Sequence, residues 1–228
     1  MEREALRLGE ALREERSWEA DGVTVLTASV TLPQLAGKSI RERRFNRYYR
    51  RFCRAYLTYC RLVLLPDAEA SFRAALETSA PWCCARATLE HHVTCRTGAV
   101  CSVVCDAAET AYGAPAFRVR RADVWDLRAG LPLPLCECFP PHTRCRSVLL
   151  RFAREETARR IERGARFRDD WRRALRRCLN TRSFCLTDAG LCFFYPLCSI
   201  AGAKEGIVSY TMPYDERSGP FVPSIART

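Results

Sequence analysis

Cys136, Cys138, His142 and Cys145 stand within ten residues of one another, in the order Cys-x-Cys-x-x-x-His-x-x-Cys. Three thiolates and an imidazole are the donor set of a tetrahedral zinc site, which makes this loop the candidate metal centre of the chain. The Cys-x-Cys start is tighter than usual zinc knuckles, Pro140-Pro141 restricts the loop, and no second knuckle follows. The competing reading is a cysteine-rich loop without a ligand, and the chain is expected to need no cofactor. His91-His92 falls in an alternating stretch, where neighbours point to opposite faces of a strand, so the two rings do not share a metal. Asp169-Asp170 suits the first turn of a helix, where negative charge offsets the dipole. No local signature of a nucleophilic cysteine and no glycine-rich phosphate or dinucleotide loop is present. No catalytic set is therefore assigned, and the chain is read as a non-enzyme.

The second candidate is a basic surface. The segment 38–54 carries eight basic residues and one acid, with Lys38, Arg41, Arg44, Arg47, Arg50, Arg51 and Arg54 as candidate contacts to a polyanion. Its aromatics, Phe45, Tyr48, Tyr49, Phe52 and Tyr56, fall instead on the inner stripe of a helix. The competing reading is thus a solvated helix face. A further twelve Arg and five acids lie between Arg146 and Arg177. The formal charge of the whole chain is +11, and 35 of its 37 basic residues are Arg. That balance favours anionic partners and repels cationic ones.

The 228 residues suit one domain with an appendage, and a hydrophobic content of 48% suffices for a core. No apolar run is long enough to cross a membrane. The first sixteen residues lack the apolar core of a secretory signal, so a cytoplasmic location is expected. The 14 Cys do not resemble a small disulfide scaffold; many fall in apolar strand-like runs and read as reduced thiols used as small hydrophobes.

These candidates need elements to position them. Leu6, Leu8 and Leu12 give Glu2–Arg16 the edge of an amphipathic helix, ended by Gly22. Val23–Leu32 alternates as a strand, Pro33–Gly37 turns out of it, and Ser39 caps a helix over Ile40–Leu65. Pro66 interrupts that helix, and helical composition resumes to Ser79. Trp82–Thr94, Val100–Thr110 and Ala116–Leu127 read as strands, with Leu131–Cys138 a further extended segment before the break at Phe139-Pro140-Pro141. Arg146–Arg163 reads as a helix, and Asp169-Asp170 opens a last helix through Trp171, Leu175 and Leu179 that ends at Asn180. The chain is then organised around its last strands: Phe184–Leu186 and Leu191–Tyr195 flank the turn Thr187–Gly190, and Ile207–Met212 alternates as a final strand closed by Pro213.

This last stretch carries a family resemblance. Phe184, Leu186, Thr187, Gly190, Leu191, Phe193, Pro196, Ala201, Gly202, Gly206, Pro213 and Tyr214 follow the order and spacing of the RsiV-like domain, found in a lysozyme-binding anti-sigma factor and beside a peptidoglycan deacetylase domain. The resemblance reaches back to about Val23. It implies a mostly extracytoplasmic, bacterial, sensor-like binding domain. The family's Gly-Gly-Ala-His segment, which follows a Tyr, aligns with Tyr112-Gly113-Ala114-Pro115-Ala116, where the His is absent. No counterpart of the deacetylase domain is found.

The expected fold is α+β, an antiparallel sheet packed against helices on one face. The expected organisation is an N-terminal helical appendage over 1–21, an RsiV-like domain over 22–216 and a C-terminal tail over 217–228. The expected function is non-catalytic binding or sensing of an unknown protein or anionic ligand. Lysozyme itself is disfavoured, since it is typically cationic. The alternatives are a basic protein that binds nucleic acid or an anionic envelope polymer, and an envelope-polysaccharide enzyme.

Overall fold

The computed structural model describes residues 7–111, 116–215, 217 and 219–223. The fold is α+β and holds a six-stranded sheet, in the order β1-β2-β3-β4-β5-β6, and a three-stranded sheet, β7-β8-β9. The chain divides into two compact units, Met1–His91 with Cys105–Arg118, and His92–Val104 with Val119–Thr228.

The first unit begins with a correction. Leu12–Ala20 is a strand, β1, paired antiparallel with β2, Val23–Leu32. No helical appendage forms among the described residues of 1–21; Gly9 and Ala36 continue the pairing through Gly9 N–H to Gln34 O and Ala36 N–H to Arg7 O. The cause is local. Asp21 and Gly22 both have positive φ, 51° and 75°, the conformation of a two-residue hairpin turn, and Asp-Gly is among the strongest signals for it. The leucine spacing mimicked a helix, while Arg13, Glu14, Glu15 and Arg16 are the charges of a guarded edge strand.

β2 runs as expected and turns its Leu26, Ala28, Val30 and Leu32 into the core. Ser39 caps α1, Ile40–Tyr59, in a reciprocal box: its hydroxyl accepts from Glu42 N–H and the Glu42 carboxylate accepts from Ser39 N–H. Asn46 fixes the entry of α1 by bonding both the N–H and the C=O of Leu35. Pro66 does not end the helix. Residues Cys60–Leu64 form a π-turn and α2, Leu65–Thr78, continues with Pro66 at its start. The wider turn relieves the clash that proline makes with the preceding carbonyl and leaves its missing N–H unneeded.

This helical connection returns the chain parallel to itself. β3, Ala85–Arg96, pairs parallel with β2 from Leu26↔Ala85 to Val30↔Leu89. The sheet is therefore mixed, not wholly antiparallel, because a crossover of this length reverses the chain twice. Phe45, Tyr49, Cys53, Tyr56 and Cys60 are the buried stripe of the helices; the spacing predicted it except that Cys53 takes the place of Phe52, which is half-buried, and Ile40 is exposed.

β4, Val100–Thr110, and β5, Phe117–Asp126, follow. Tyr112–Pro115 lies outside the described residues, and with it most of the segment aligned to Gly-Gly-Ala-His. Of the expected extended run Leu131–Cys138, only Leu131–Pro132 pairs, as β6; Leu135–Cys138 is a 3-10 turn, started where Pro134 removes a ladder donor.

The second unit is built on β7, Phe184–Thr187, β8, Gly190–Phe194, and β9, Ser209–Met212, all antiparallel. Gly190 has φ 150°, and a side chain there would meet the carbonyl of Met212. Phe193 and Tyr195 enter one core with α3, Cys145–Glu162, and α4, Trp171–Cys178, whereas Phe194 enters a separate small cluster with Val104, Ala122 and Cys185. The opposite facing of Phe193 and Phe194 is what the alternation predicted. Arg146 closes the C-terminal end of α4 by donating to Arg176 O and Leu179 O, both at 2.7 Å. The described part of 217–228 is not a free tail: Phe221 N–H donates to Cys138 O and Val222 packs on the main core.

Candidate ligand-binding cleft

The residues of the resemblance are structural. Phe184, Leu186, Leu191 and Phe193 are core residues at 4% exposure or less. Thr187 ties the turn through its hydroxyl to Gly190 O, and Tyr214 OH donates to Thr187 O at 2.7 Å. Pro196, Gly202 and Pro213 are exposed, and Gly206 turns the chain with φ 66°. None of them lines either of the two concavities described below.

The cysteine loop does not assemble as a ligand set. Cys138 is fully buried in the core, Cys136 is exposed, and the exposed His142 has φ 65°. Cys145 turns its thiol to Thr143 O. Burial, then the neighbouring Cys136 and Cys145, pushes the Cys138 thiol up to about 12, opposite to what a metal-binding thiolate needs. Among the described residues no three His, Cys, Asp or Glu side chains come together to hold a metal. Core demand for an apolar residue at 138 won over the spacing. His91 bonds Thr31 O through Nδ1, and His92 is exposed.

The basic residues lie where the helical pattern put them. Arg43, Arg44, Arg47, Arg50, Arg51 and Arg54 are exposed on the side of α1 away from its aromatic stripe; Arg41, one turn before Phe45, is half-buried, and Lys38 is exposed just before the helix. Asp170 is the N-cap residue of α4, where it pairs with Arg168 at 3.0 Å.

A concavity lies elsewhere, in the first unit, and the sequence reading did not find it. It has a volume of about 200 Å³ and lies between the π-turn and α2 on one side and the start of β3 and end of β4 on the other. Leu26, Leu64, Ala68, Trp82, Ala85 and Phe117 give it apolar walls, with Asp67, Ser71, Arg86 and Glu109 as the polar lining. Trp82 is braced by Phe72, ring to ring at 4.9 Å. Phe117 is 52% exposed, and Leu62 and Val63, on the same π-turn as Leu64, are also exposed.

Its polar centre is Glu109, which accepts a hydrogen bond from Tyr59 OH at 3.2 Å. Burial raises the Glu109 carboxyl above its usual range, and the Tyr59 bond opposes that rise. Tyr59 is itself raised, by burial first and then by the Glu109 charge. Nearby, burial and the Glu109 charge hold Cys60 protonated, up to about 11. The arrangement offers an apolar slot edged by two carboxylates, Asp67 and Glu109, and one guanidinium, Arg86. A second, wider depression of about 570 Å³ lies over β1, β2 and β3 and is lined mainly by Ser17, Thr27, Ser29, Arg86 and Thr88.

No family model matches the sequence, and no curated protein matches it. Solved structures do resemble it. A member of the DUF3298 family from Bacteroides fragilis NCTC 9343 superposes with a TM-score of 0.66 at 14% identity, over 92% of this chain and 91% of that one. A DUF3298 family protein from Pseudomonas aeruginosa PAO1 gives 0.58 at 14% identity, over 96% and 95%. The chain therefore shares its fold with DUF3298 proteins, at nearly full length on both sides. No helix among the described residues is long and apolar enough to cross a membrane.

Proposed function

We propose that the protein is a non-catalytic binding domain that recognises a protein partner by accepting an apolar side chain in the cleft beside Trp82. The observation that carries this reading is the cleft itself. Its 200 Å³ is below the roughly 300–1,000 Å³ of sites for drug-sized ligands, and suits one aromatic or aliphatic anchor. Exposed Phe117, Leu62 and Val63 offer further apolar surface for the residues flanking that anchor. A chain of charge +11 favours a neutral or acidic partner over a cationic one. The resemblance to the sensor-like RsiV domain, and the DUF3298 fold, agree with a binding role.

The test is a titration with capped peptides carrying a central Leu, Phe or Trp between acidic residues. Binding that shifts the NMR signals of the Trp82 indole and Phe117 ring supports the reading. Ser71→Phe, which fills the cleft from α2, should abolish those shifts while leaving the rest of the spectrum in place. Shifts that ignore Trp82, or that survive Ser71→Phe, reject the cleft as the site.

A second reading rests on a different observation, the exposed arginines of α1. Six of them, Arg43, Arg44, Arg47, Arg50, Arg51 and Arg54, share the solvent side of one helix. Such a stripe can neutralise several phosphates of a polyanion, and its affinity would fall steeply as salt rises. Replacing Arg47, Arg50, Arg51 and Arg54 by Gln would flatten that dependence, whereas cleft binding of an apolar anchor would persist in high salt.

A further inference from the structure

Cys185 on β7 and Cys192 on β8 are partners across the hairpin, in the register that also pairs Phe184 with Phe193 and Thr187 with Gly190. Directly opposed residues of antiparallel strands have Cα atoms about 4.5–5.5 Å apart, inside the roughly 4.4–6.8 Å that a disulfide spans. On the other side of Cys192 stands its β9 partner Thr211, exposed to solvent. Cys185 is buried and Cys192 half-buried, so only one of the two sulfurs lies next to an accessible surface.

The polar surroundings distinguish the pair further. The Cys185 and Cys192 thiols act on each other, and the Thr211 and Ser209 side chains act on the Cys192 sulfur. Thr94 acts on the Cys185 sulfur, and the Arg120 guanidinium acts on both. The neighbouring Cys185 thiol holds Cys192 below its ordinary value against its burial, helped by Thr211, Arg120 and Ser209. The Cys192 thiol, followed by burial, pushes Cys185 up. A half-exposed thiolate beside a protonated thiol is the arrangement of an attacking and a resolving cysteine.

We propose that Cys185 and Cys192 are a redox-active dithiol, in which Cys192 reacts with a small hydroperoxide and Cys185 closes the disulfide between β7 and β8. In the first step the Cys192 thiolate attacks one peroxide oxygen, and the O–O bond breaks. Cys192 becomes a sulfenic acid, and the departing hydroxide takes up a proton as water. In the second step Cys185 attacks the sulfenic sulfur, the S–O bond breaks, and a second water leaves with the thiol proton. Hydrogen peroxide thus gains two electrons and the two thiols lose them. A dithiol reductant reverses the change by exchange.

The experiment exposes the full chain to substoichiometric hydrogen peroxide, followed by alkylation and peptide mass analysis. Trypsin releases Ser183–Lys204, which holds Cys185, Cys192 and Cys198; cleavage after Phe194 then separates Cys198. The expected result is a Cys185–Cys192 linkage that forms before the exposed Cys83 and Cys136 lose their capacity for alkylation. Cys185→Ser should leave Cys192 as a sulfenic acid that dimedone traps. Should Cys185→Ser fail to fold, the linkage in the unaltered chain decides alone. Oxidation of Cys192 no faster than Cys83 and Cys136, or a bridge to Cys198 in place of Cys185, overturns the proposal.

Discussion

Thr157 and Tyr210 share a hydrogen bond of 2.6 Å between their hydroxyls, with both residues fully buried. Thr157 also bonds Ala153 O, one turn earlier in α3, at 2.6 Å. A threonine hydroxyl has one hydrogen, so that hydrogen goes to the carbonyl and Tyr210 is the donor to Thr157. Arg160 lies 4.6 Å above the Tyr210 ring and donates to Ser209 O. Helix α3 and strand β9 are thus held by a polar seam inside an apolar core.

The direction of that bond makes two substitutions unequal. Tyr210→Phe removes the donor and leaves Thr157 still bonded to Ala153 O, so it should cost about 0.5–1.5 kcal/mol. Thr157→Val removes the acceptor and strands a buried phenolic hydrogen, for about 1–3 kcal/mol. Urea midpoints of the two variants and of the double variant test this. If Tyr210→Phe is the more damaging, the donor assignment is reversed.

Phe193 should be among the most sensitive positions in the second unit. It is fully buried and touches Phe152, Tyr195 and Tyr210, with ring centroids 6.4, 6.3 and 5.5 Å away. Phe193→Ala should cost about 3–5 kcal/mol through lost burial and the cavity left behind. Arg50→Ala, on the solvent side of α1, should stay within about 0.5 kcal/mol. Denaturant midpoints of the two variants, measured side by side, decide; equal losses would mean that α1 depends on Arg50.

The β7–β8 hairpin was legible because its signals are local and agree with one another: Asp188 and Gly190 set the turn, and alternation sets the faces of Phe193 and Phe194. β1 was misread because Leu6, Leu8 and Leu12 satisfy a helical spacing by coincidence. Asp21-Gly22 carried the correction, since an Asp-Gly pair before a clear strand asks for a partner strand upstream. The cleft was not legible at all. Glu109, Tyr59 and Trp82 come together only through the parallel return of β3 beside β2, and no spacing in the sequence records that register. The thiol pair lies between these cases. Once the turn is placed at 188–189, residues 185 and 192 must face each other, yet both look like ordinary small hydrophobes in apolar runs.

Glu109 gives a pH-dependent prediction. Its folded-state carboxyl is raised by burial, so the fold favours the protonated form. The stability this contributes is complete below the ordinary carboxyl value and is lost as pH rises through the folded one. Glu109→Gln, which keeps the shape of the protonated acid, should therefore match the parent protein at acid pH and be the more stable near neutral pH. Tyr59→Phe removes the bond that holds the carboxyl down and should shift its titration upward. Midpoints of unfolding across pH 3–8 check both, and a Glu109→Gln chain that is less stable at neutral pH would show that the ionised carboxylate is structurally required.

Cys192 gives the sharpest chemical prediction. Its thiol is held below its ordinary value, first by the neighbouring Cys185 thiol and then by Thr211, Arg120 and Ser209. The thiolate is the reactive form. Alkylation of Cys192 by iodoacetamide should hence persist to lower pH than that of an ordinary thiol, which loses reactivity below about 8.5. Cys185→Ala should move the Cys192 profile up the furthest, because it removes the largest contribution, and Thr211→Val should move it up by less. Thr211 is exposed and lies on the edge strand β9, so its replacement leaves the core of the hairpin intact. The measurement is the pH profile of the alkylation rate at Cys192, read peptide by peptide with Cys83 as the exposed reference in the same tube. A Cys192 profile that coincides with that of Cys83, or one that ignores Cys185→Ala, would show that the neighbouring thiol does not stabilise the anion.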